Sequence, residues 1–261
     1  MTTTRKRPWT RHELLIAFGL YCQIPFGKLH KENAEVKRFA ALLRRTPSAL
    51  AMKLTNIASL DPAITATGRK GLPGASAADR SMWQEMQSDW SRFAAESEAA
   101  ITAVMRDAEP DASAVDHEQE EPDYRGRDAA VQTTARVGQG FFRKAVLSAY
   151  NYRCCITGLA VRELLIASHI VPWRHDESNR LNPRNGLALS ALHDRAFDLG
   201  LITLDENMSV QVCCKEANAG DAFYVDALLR YEGRQITLPE KFPPEERFLA
   251  YHRSHVFLHS M

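Results

Sequence analysis

The stretch from Ser168 to Asp198, SHIVPWRHDESNRLNPRNGLALSALHDRAFD, decides the fold of the second half of this chain. An apolar run, LLIASHI, occupies residues 164–170 and places His169 at the end of a predicted strand. A second apolar run begins at Asn185, sixteen residues further on, and a helical pattern follows it. The helix carries three side chains that can bind a metal ion: His193, Asp194 and Asp198.

This order of residues is typical of a site that hydrolyses phosphodiester bonds. Such hydrolysis needs a base for the attacking water and a cation that neutralises the charge developing on the phosphate oxygens. A histidine with an ordinary pKa near 6.5 is neutral at pH 7 and can accept the proton. Taken alone, a strand-end histidine is usually structural and an Asn-Gly pair usually marks a turn. The combination favours a catalytic site, with His169 as the base.

The segments SHIVPW and NPRNGLALSALHDRAFDLGLI resemble the HNH family of endonucleases, in particular its bacterial restriction-endonuclease branch. The resemblance covers roughly residues 131–258, and the flanks ARVGQGFFRKAVLSAYNYRCCITG and YEGRQITLPEKFPPEERFLAYHRSHVF are similar to the same branch. The first block of the chain resembles the amino-terminal module that accompanies such nucleases. The resemblance implies a ββα-metal fold, in which two strands and a helix grip one divalent ion.

Residue by residue, the resemblance implies a role for two positions. His169 corresponds to the general base of the family, and Asn185 to the central asparagine that orients the base or helps to hold the metal. The helix ligand is left open between His193, Asp194 and Asp198. Asp194 lies nine residues after the asparagine and Asp198 one turn later, whereas His193 lies at eight residues and ranks first on chemistry.

One departure from the family pattern concerns the residue before the base. Many members have Asp or His there as a metal ligand, and this chain has Ser168, a poor ligand. The metal shell is then expected to rest on His193 with Asp194 or Asp198, completed by water and phosphate oxygens. A nuclease domain with weak or no activity is the alternative.

The cofactor implied is one divalent ion, Mg²⁺, Mn²⁺ or Ni²⁺, and no structural zinc is expected. The pairs Cys154–Cys155 and Cys213–Cys214 are adjacent, whereas zinc ligands are usually two to four residues apart. The implied function is cleavage of double-stranded DNA in restriction or phage defence. Two rivals are a DNA-binding protein with an inactive nuclease domain and a nuclease that acts on RNA or single strands.

Charge divides the chain into three regions. Residues 1–75 carry 13 Lys and Arg against 4 Asp and Glu, residues 76–128 carry 5 against 14, and residues 129–261 carry 15 against 14. We expect an α+β protein with a basic helical domain at 1–108, an acidic mobile linker at 109–128 and the HNH domain at 129–261. A basic block favours a polyanionic partner, although a solvated charged face is the simpler alternative.

The basic block predicts three short helices. Thr10 opens the first, Asn33 the second and Thr46 the third, and the last two flank a short basic turn. This pattern favours a helix-turn-helix-like unit, although three-helix packing without DNA contact fits equally well. One long helix is expected from Ser76 to about Asp107, and dimerisation through it is open. The candidate nucleic-acid contacts are Arg44, Arg45, Lys53, Arg136, Arg143 and Arg195.

No stretch of the sequence approaches the roughly 18 consecutive apolar residues that span a bilayer. We therefore expect a cytoplasmic protein with no membrane partner.

Overall fold

The computed structural model describes residues 7–68, 74–108, 129–213 and 219–258, without the side chains of residues 129–137. The chain divides into two compact units, one of Met1–Tyr21 with Gly27–Phe141 and one of Cys22–Phe26 with Phe142–Met261. The helices are α1 (Arg11–Gln23), α2 (Ala34–Leu42), α3 (Pro47–Ala58), α4 (Pro62–Thr65), α5 (Ala77–Ser88), α6 (Trp90–Ala108), α7 (Ala129–Ala149), α8 (Ala191–Asp198), α9 (Ala222–Ala227) and α10 (Glu246–His255). The strands are β1 (Leu165–His169), β2 (Gly186–Ser190), β3 (Ile202–Leu204) and β4 (Val210–Val212). The predicted mixture of helices and a small sheet is confirmed, whereas the predicted linker at 109–128 lies outside the described residues.

The first three helices begin where their capping residues predict. Thr10 and Glu13 form a reciprocal pair, because the Thr10 hydroxyl accepts from the Glu13 amide (3.2 Å) and the Glu13 carboxylate accepts from the Thr10 amide (2.9 Å). Asn33 accepts from two amides of α2, and Thr46 accepts from the amide of Ala49 with Pro47 at the first helical position. Each start is encoded within three or four residues of sequence.

The prediction of one long helix from Ser76 to Asp107 is wrong. The chain forms two helices, α5 and α6, with a break between them at Asp89. Asp89 leaves the helical region with φ −149° and ψ 88°. Its carboxylate accepts from the Arg92 amide at 2.9 Å and so caps the second helix. An aspartate can compete with the helical backbone in this way, and an apolar stripe running through both helices conceals the break.

In the second unit, a strand-strand-helix motif is built around an antiparallel pair. β1 and β2 pair in the register His169 with Gly186 and Leu165 with Ser190, and α8 follows directly. The Ser190 side chain caps α8 by accepting from the amide of His193. A second antiparallel pair, β3 with β4, comes after α8. The predicted order of two strands and a helix is confirmed.

Helix α10 packs against this motif through His252. The side chain is 1% exposed, and its Nε2–H donates to the Phe197 carbonyl at 3.1 Å. The Thr203 hydroxyl lies 2.9 Å from Nδ1, and the imidazole stacks on the Phe197 ring at 3.6 Å. Because both nitrogens are engaged inside the unit, His252 is a packing residue.

The second unit also includes a short segment from early in the chain, Cys22–Phe26. The Cys22 carbonyl accepts from the Ser148 hydroxyl at 2.7 Å and from the Lys241 ammonium at 3.1 Å. The same ammonium donates to the Ile24 carbonyl at 2.8 Å, and the Lys241 side chain is fully buried. Carbonyls near the end of a helix need partners, and a buried ammonium supplies them.

Candidate active site

His169 stands at the end of β1 with one ring nitrogen already engaged. Nε2 lies 2.9 Å from the backbone carbonyl oxygen of Arg180. A carbonyl oxygen only accepts, so Nε2 carries the proton and Nδ1 keeps the lone pair. The ring therefore presents a proton acceptor in a single tautomer.

Aromatic rings surround His169. Phe142 stacks on the imidazole with ring centroids 3.9 Å apart and planes 7° from parallel, and Trp173 approaches edge-on at 5.4 Å. Burial lowers the pKa of His169 to about 4, against the opposing effect of the hydrogen bond to Arg180. The imidazole is consequently neutral at pH 7, as a general base must be.

Asn185 is buried and joins the ends of the two strands. Its Oδ1 accepts from the Val171 amide at 2.8 Å, and its Nδ2 donates to the carbonyls of Val171 at 3.3 Å and Asn179 at 3.4 Å. Its own carbonyl accepts from the Ile170 amide at 3.0 Å. Both ends of the carboxamide are thus bound to backbone groups of the connection between β1 and β2.

A polar network within the β1–β2 connection supports the carbonyl that holds His169. Asn179 donates from Nδ2 to Asp176 at 2.7 Å and accepts from Asn182 at 3.1 Å. Arg180 itself donates from Nε to the Trp173 carbonyl at 2.9 Å. Sequence reasoning missed this network, although the repeated asparagines and aspartates of DESNRLNPRN are a signal for side-chain-to-backbone hydrogen bonding.

His193 and Ser168 are both buried, and each has a polar atom without a normal hydrogen bond to the described residues. The Nδ1 atom of His193 lies 2.8 Å from the Ser190 hydroxyl, while Nε2 lacks a normal hydrogen bond. A weaker interaction with the Ala227 backbone raises the pKa of His193. Burial is the larger effect and lowers the pKa of His193. The Ser168 Oγ is likewise unbonded. Buried polar atoms without a partner are uncommon, and a water molecule or an ion is one way to satisfy them.

Asp194 and Asp198 lie one turn apart on α8, beside the buried face that carries His193. Partial burial raises the pKa of Asp198, and Arg195 opposes this rise. Among the described residues, no group of three or more His, Cys, Asp or Glu side chains could hold a metal ion. These residues do not fit a closed protein cage. Asp194 and Asp198 supply carboxylate oxygens, the donor type that hard divalent ions prefer, and such ions often keep water and phosphate oxygens as their other ligands.

Two of the predicted nucleic-acid contacts in the first unit are engaged inside it. Lys53 is 6% exposed and pairs with the buried Asp79 at 2.7 and 3.0 Å. Arg45 pairs with Glu13 at 2.8 Å and covers the Trp9 ring at 4.0 Å. Arg44 differs, because it is exposed in the turn between α2 and α3.

The predicted phosphate contacts of the second half are spread over α7 and α8. Arg195 is exposed on α8, next to Asp194, and Arg143 is half-buried on α7. The Arg136 side chain lies outside the described residues. Among the described side chains of this set, Arg195 is the one that shares α8 with the candidate metal ligands.

A family comparison bears on residues 154–205, which match the model described as HNH endonuclease. The chain carries an HNH endonuclease domain. The matched residues span β1, β2 and α8 and include His169, Asn185 and all three candidate ligands. No curated protein matches the chain. An HNH domain implies nuclease activity on nucleic acid.

No helix in the described ranges is long and apolar enough to cross a membrane.

Proposed function

We propose that this protein is a divalent-metal-dependent endonuclease that hydrolyses DNA, with His169 as the general base. The observation that carries the proposal is the hydrogen bond from Nε2 to the Arg180 carbonyl, which leaves Nδ1 as the acceptor. The ring is neutral at physiological pH because burial lowers its pKa to about 4. A single tautomer in a fixed position is what proton abstraction requires.

In this mechanism Nδ1 of His169 takes a proton from water as the water oxygen attacks the phosphorus atom. The P–O bond to the leaving sugar oxygen breaks, and the products are a phosphate monoester end and a hydroxyl end. One divalent ion held by Asp194 and Asp198, with His193 beside them, would neutralise the charge that develops on the phosphate oxygens. Arg195, on the same helix, supplies a further positive charge.

The first unit is proposed to bind the DNA duplex. Its exposed basic side chains include Lys28, His30, Lys31, Lys37, Arg38, Arg44 and Arg80. α2 and α3 flank the turn that contains Arg44, which supports a helix-turn-helix-like role for this pair. The resemblance to the restriction-endonuclease branch supports restriction or phage defence as the role. Cleavage of both strands would require a second copy, since one such site cuts one strand.

The direct test is cleavage of supercoiled plasmid by the purified chain with Mg²⁺, Mn²⁺ or Ni²⁺. We expect nicked and linear products, and we expect His169→Ala to lower the rate by about 100-fold or more without weakening DNA binding. His175→Ala is the matched control, because His175 is an exposed histidine six positions away that pairs with Tyr251 instead. Equal rates for His169→Ala and wild type would refute the assignment of the base.

A second candidate is a DNA-binding protein whose nuclease domain is inactive. It is favoured by Ser168 at a usual ligand position and by the lack of a three-residue ligand group among the described residues. DNA binding without cleavage at any divalent ion, and without ion binding in calorimetry, would support it. Competition between duplex, single-stranded DNA and RNA separates the remaining possibility, a nuclease for RNA or single strands.

A further inference from the structure

The side chain that covers the His169 ring comes from outside the residues matched by the family model. Phe142 lies on α7, before residue 154, and is 2% exposed. Its ring lies parallel to the imidazole, with 3.9 Å between centroids and 7° between planes. A face-to-face contact this close limits the tilt of the imidazole. The hydrogen bond from Nε2 to the Arg180 carbonyl holds the ring at one edge, and the phenyl ring covers one of its faces.

Gly186 makes room for this arrangement. Gly186 is the cross-strand partner of His169, so a side chain there would lie on the same face of the pair. A Cβ added at Gly186 would stand 2.9 Å from Cζ of Phe142 and 2.5 Å from a methyl group of Val146. The space of the missing side chain is therefore filled by α7. This explains the glycine of the Asn-Gly pair by packing, in addition to any turn preference.

We propose that Phe142 is a positioning residue of the nuclease site, which holds the His169 ring in its reactive orientation through the space that Gly186 leaves. The proposal rests on the function proposed for His169. Removing the ring is expected to leave folding intact while the imidazole tilts away from its productive orientation. Misplacement of a catalytic group by about 1 Å is enough to lower a rate on the order of 100-fold.

The test compares Phe142→Leu with Phe141→Leu in the full chain. Phe141 is a matched control because it is the adjacent residue on α7, is equally buried and packs edge-on against Phe93 rather than against His169. The first readout is the nitrogen and proton spectrum of the His169 ring, which requires no cleavage. The second readout is kcat with plasmid DNA, measured together with KM.

In wild type and Phe141→Leu we expect one tautomer, protonated at Nε2, and ring protons shifted upfield by the stacked phenyl group. Phe142→Leu should lose the upfield shift, show both tautomers and lower kcat about 100-fold with little change in KM. Gly186→Ala, which forces the phenyl ring to move, should act in the same direction. These changes together would support a positioning role.

A wild-type tautomer and a wild-type kcat in Phe142→Leu would overturn the proposal, as would equal effects of the two leucine variants. If neither Phe142→Leu nor Gly186→Ala folds, the wild-type spectrum tests the proposal. A mixture of tautomers, or ring protons without an upfield shift, would contradict the proposal. If the wild type does not cleave DNA, the spectra still test the positioning role. Failure of the proposed nuclease function is thereby distinguished from failure of the positioning role proposed for Phe142.

Discussion

Asn185 binds Val171 through both ends of its carboxamide, with Oδ1 2.8 Å from the amide nitrogen and Nδ2 3.3 Å from the carbonyl oxygen. Val171 lies just after the end of β1, and Asn185 lies just before the start of β2. The two hydrogen bonds hold together the ends of the segment between β1 and β2. This segment contains Arg180, whose carbonyl oxygen binds Nε2 of His169. Asn185 therefore supports the position of the His169 ring through the backbone.

The first prediction is that Asn185→Ala lowers both stability and activity. The Val171 amide is left buried without its acceptor, which costs about 1–3 kcal/mol in the free energy of unfolding. Urea denaturation measures this cost, and plasmid cleavage at a temperature where the variant is folded measures the loss of rate. Asn207→Ala is the control, since Asn207 lies in an exposed turn elsewhere in the same unit. A fully active Asn185→Ala would contradict the orienting role.

A second prediction concerns stability in acid. Burial lowers the pKa of both His169 and His252 to about 4, against an unfolded value near 6.5. Between these values the unfolded chain binds more protons than the folded chain, so stability is full above pH 6.5 and falls as the pH decreases towards 4. Each group contributes a slope of up to about 1.4 kcal/mol per pH unit.

Urea denaturation at intervals from pH 7.5 to 4.5 measures this slope. His252→Gln removes one titrating group at a site away from His169, and its stability should fall less steeply with decreasing pH than that of the wild type. Identical slopes for the two proteins would show that His252 titrates normally in the folded state.

The third prediction is the pH dependence of catalysis. Because the pKa of His169 is about 4 in the folded protein, its base form persists well below pH 6.5. The loss of kcat/KM attributable to this group should therefore begin near pH 5 and not near pH 7. Initial rates with folding monitored by circular dichroism provide the measurement. A halving of kcat/KM at pH 6.5 in fully folded protein would indicate an ordinary histidine.

The sequence predicted the parts of the fold that depend on neighbouring residues. The caps at Thr10, Asn33 and Thr46 act within three residues, and the strand-strand-helix order follows from local hydrophobic patterns. The positions that were not foreseen depend on distant partners. Lys53 meets Asp79, 26 positions away, and Phe142 meets His169 through the fold of α7 on the strands. No local pattern indicates that a lysine among helical surface positions will be buried.

A fourth prediction addresses the early segment that belongs to the second unit. Lys241 is fully buried and donates to the carbonyls of Cys22 and Ile24. Lys241→Met keeps most of the side-chain volume but removes this donor. The Cys22 carbonyl retains its hydrogen bond from Ser148, whereas the Ile24 carbonyl loses the ammonium, at a cost of about 1–3 kcal/mol. Thermal unfolding of the full chain measures the effect. Lys28→Met, at an exposed site, is the control and should unfold like the wild type.

The last prediction uses Ser168 to test the metal site. Its Oγ is buried without a hydrogen bond among the described residues, at the position where many HNH nucleases have a ligand. Ser168→Asp places a carboxylate there, which destabilises the folded chain in the absence of metal because a buried charge lacks compensation. If the ion binds beside α8, the same carboxylate becomes a ligand, and binding to the folded state raises its stability.

We therefore expect Ser168→Asp to have a lower Tm than wild type in EDTA and a larger increase in Tm on addition of Mn²⁺. Ser168→Asn is the matched control, because it has nearly the same shape without the charge, and it should gain less from Mn²⁺ than the aspartate variant. Calorimetric titration with Mn²⁺ should show tighter binding to Ser168→Asp than to either other protein. An equal response of all three proteins to Mn²⁺ would place any bound ion away from β1, since a ligand at position 168 acts only on an ion within its reach.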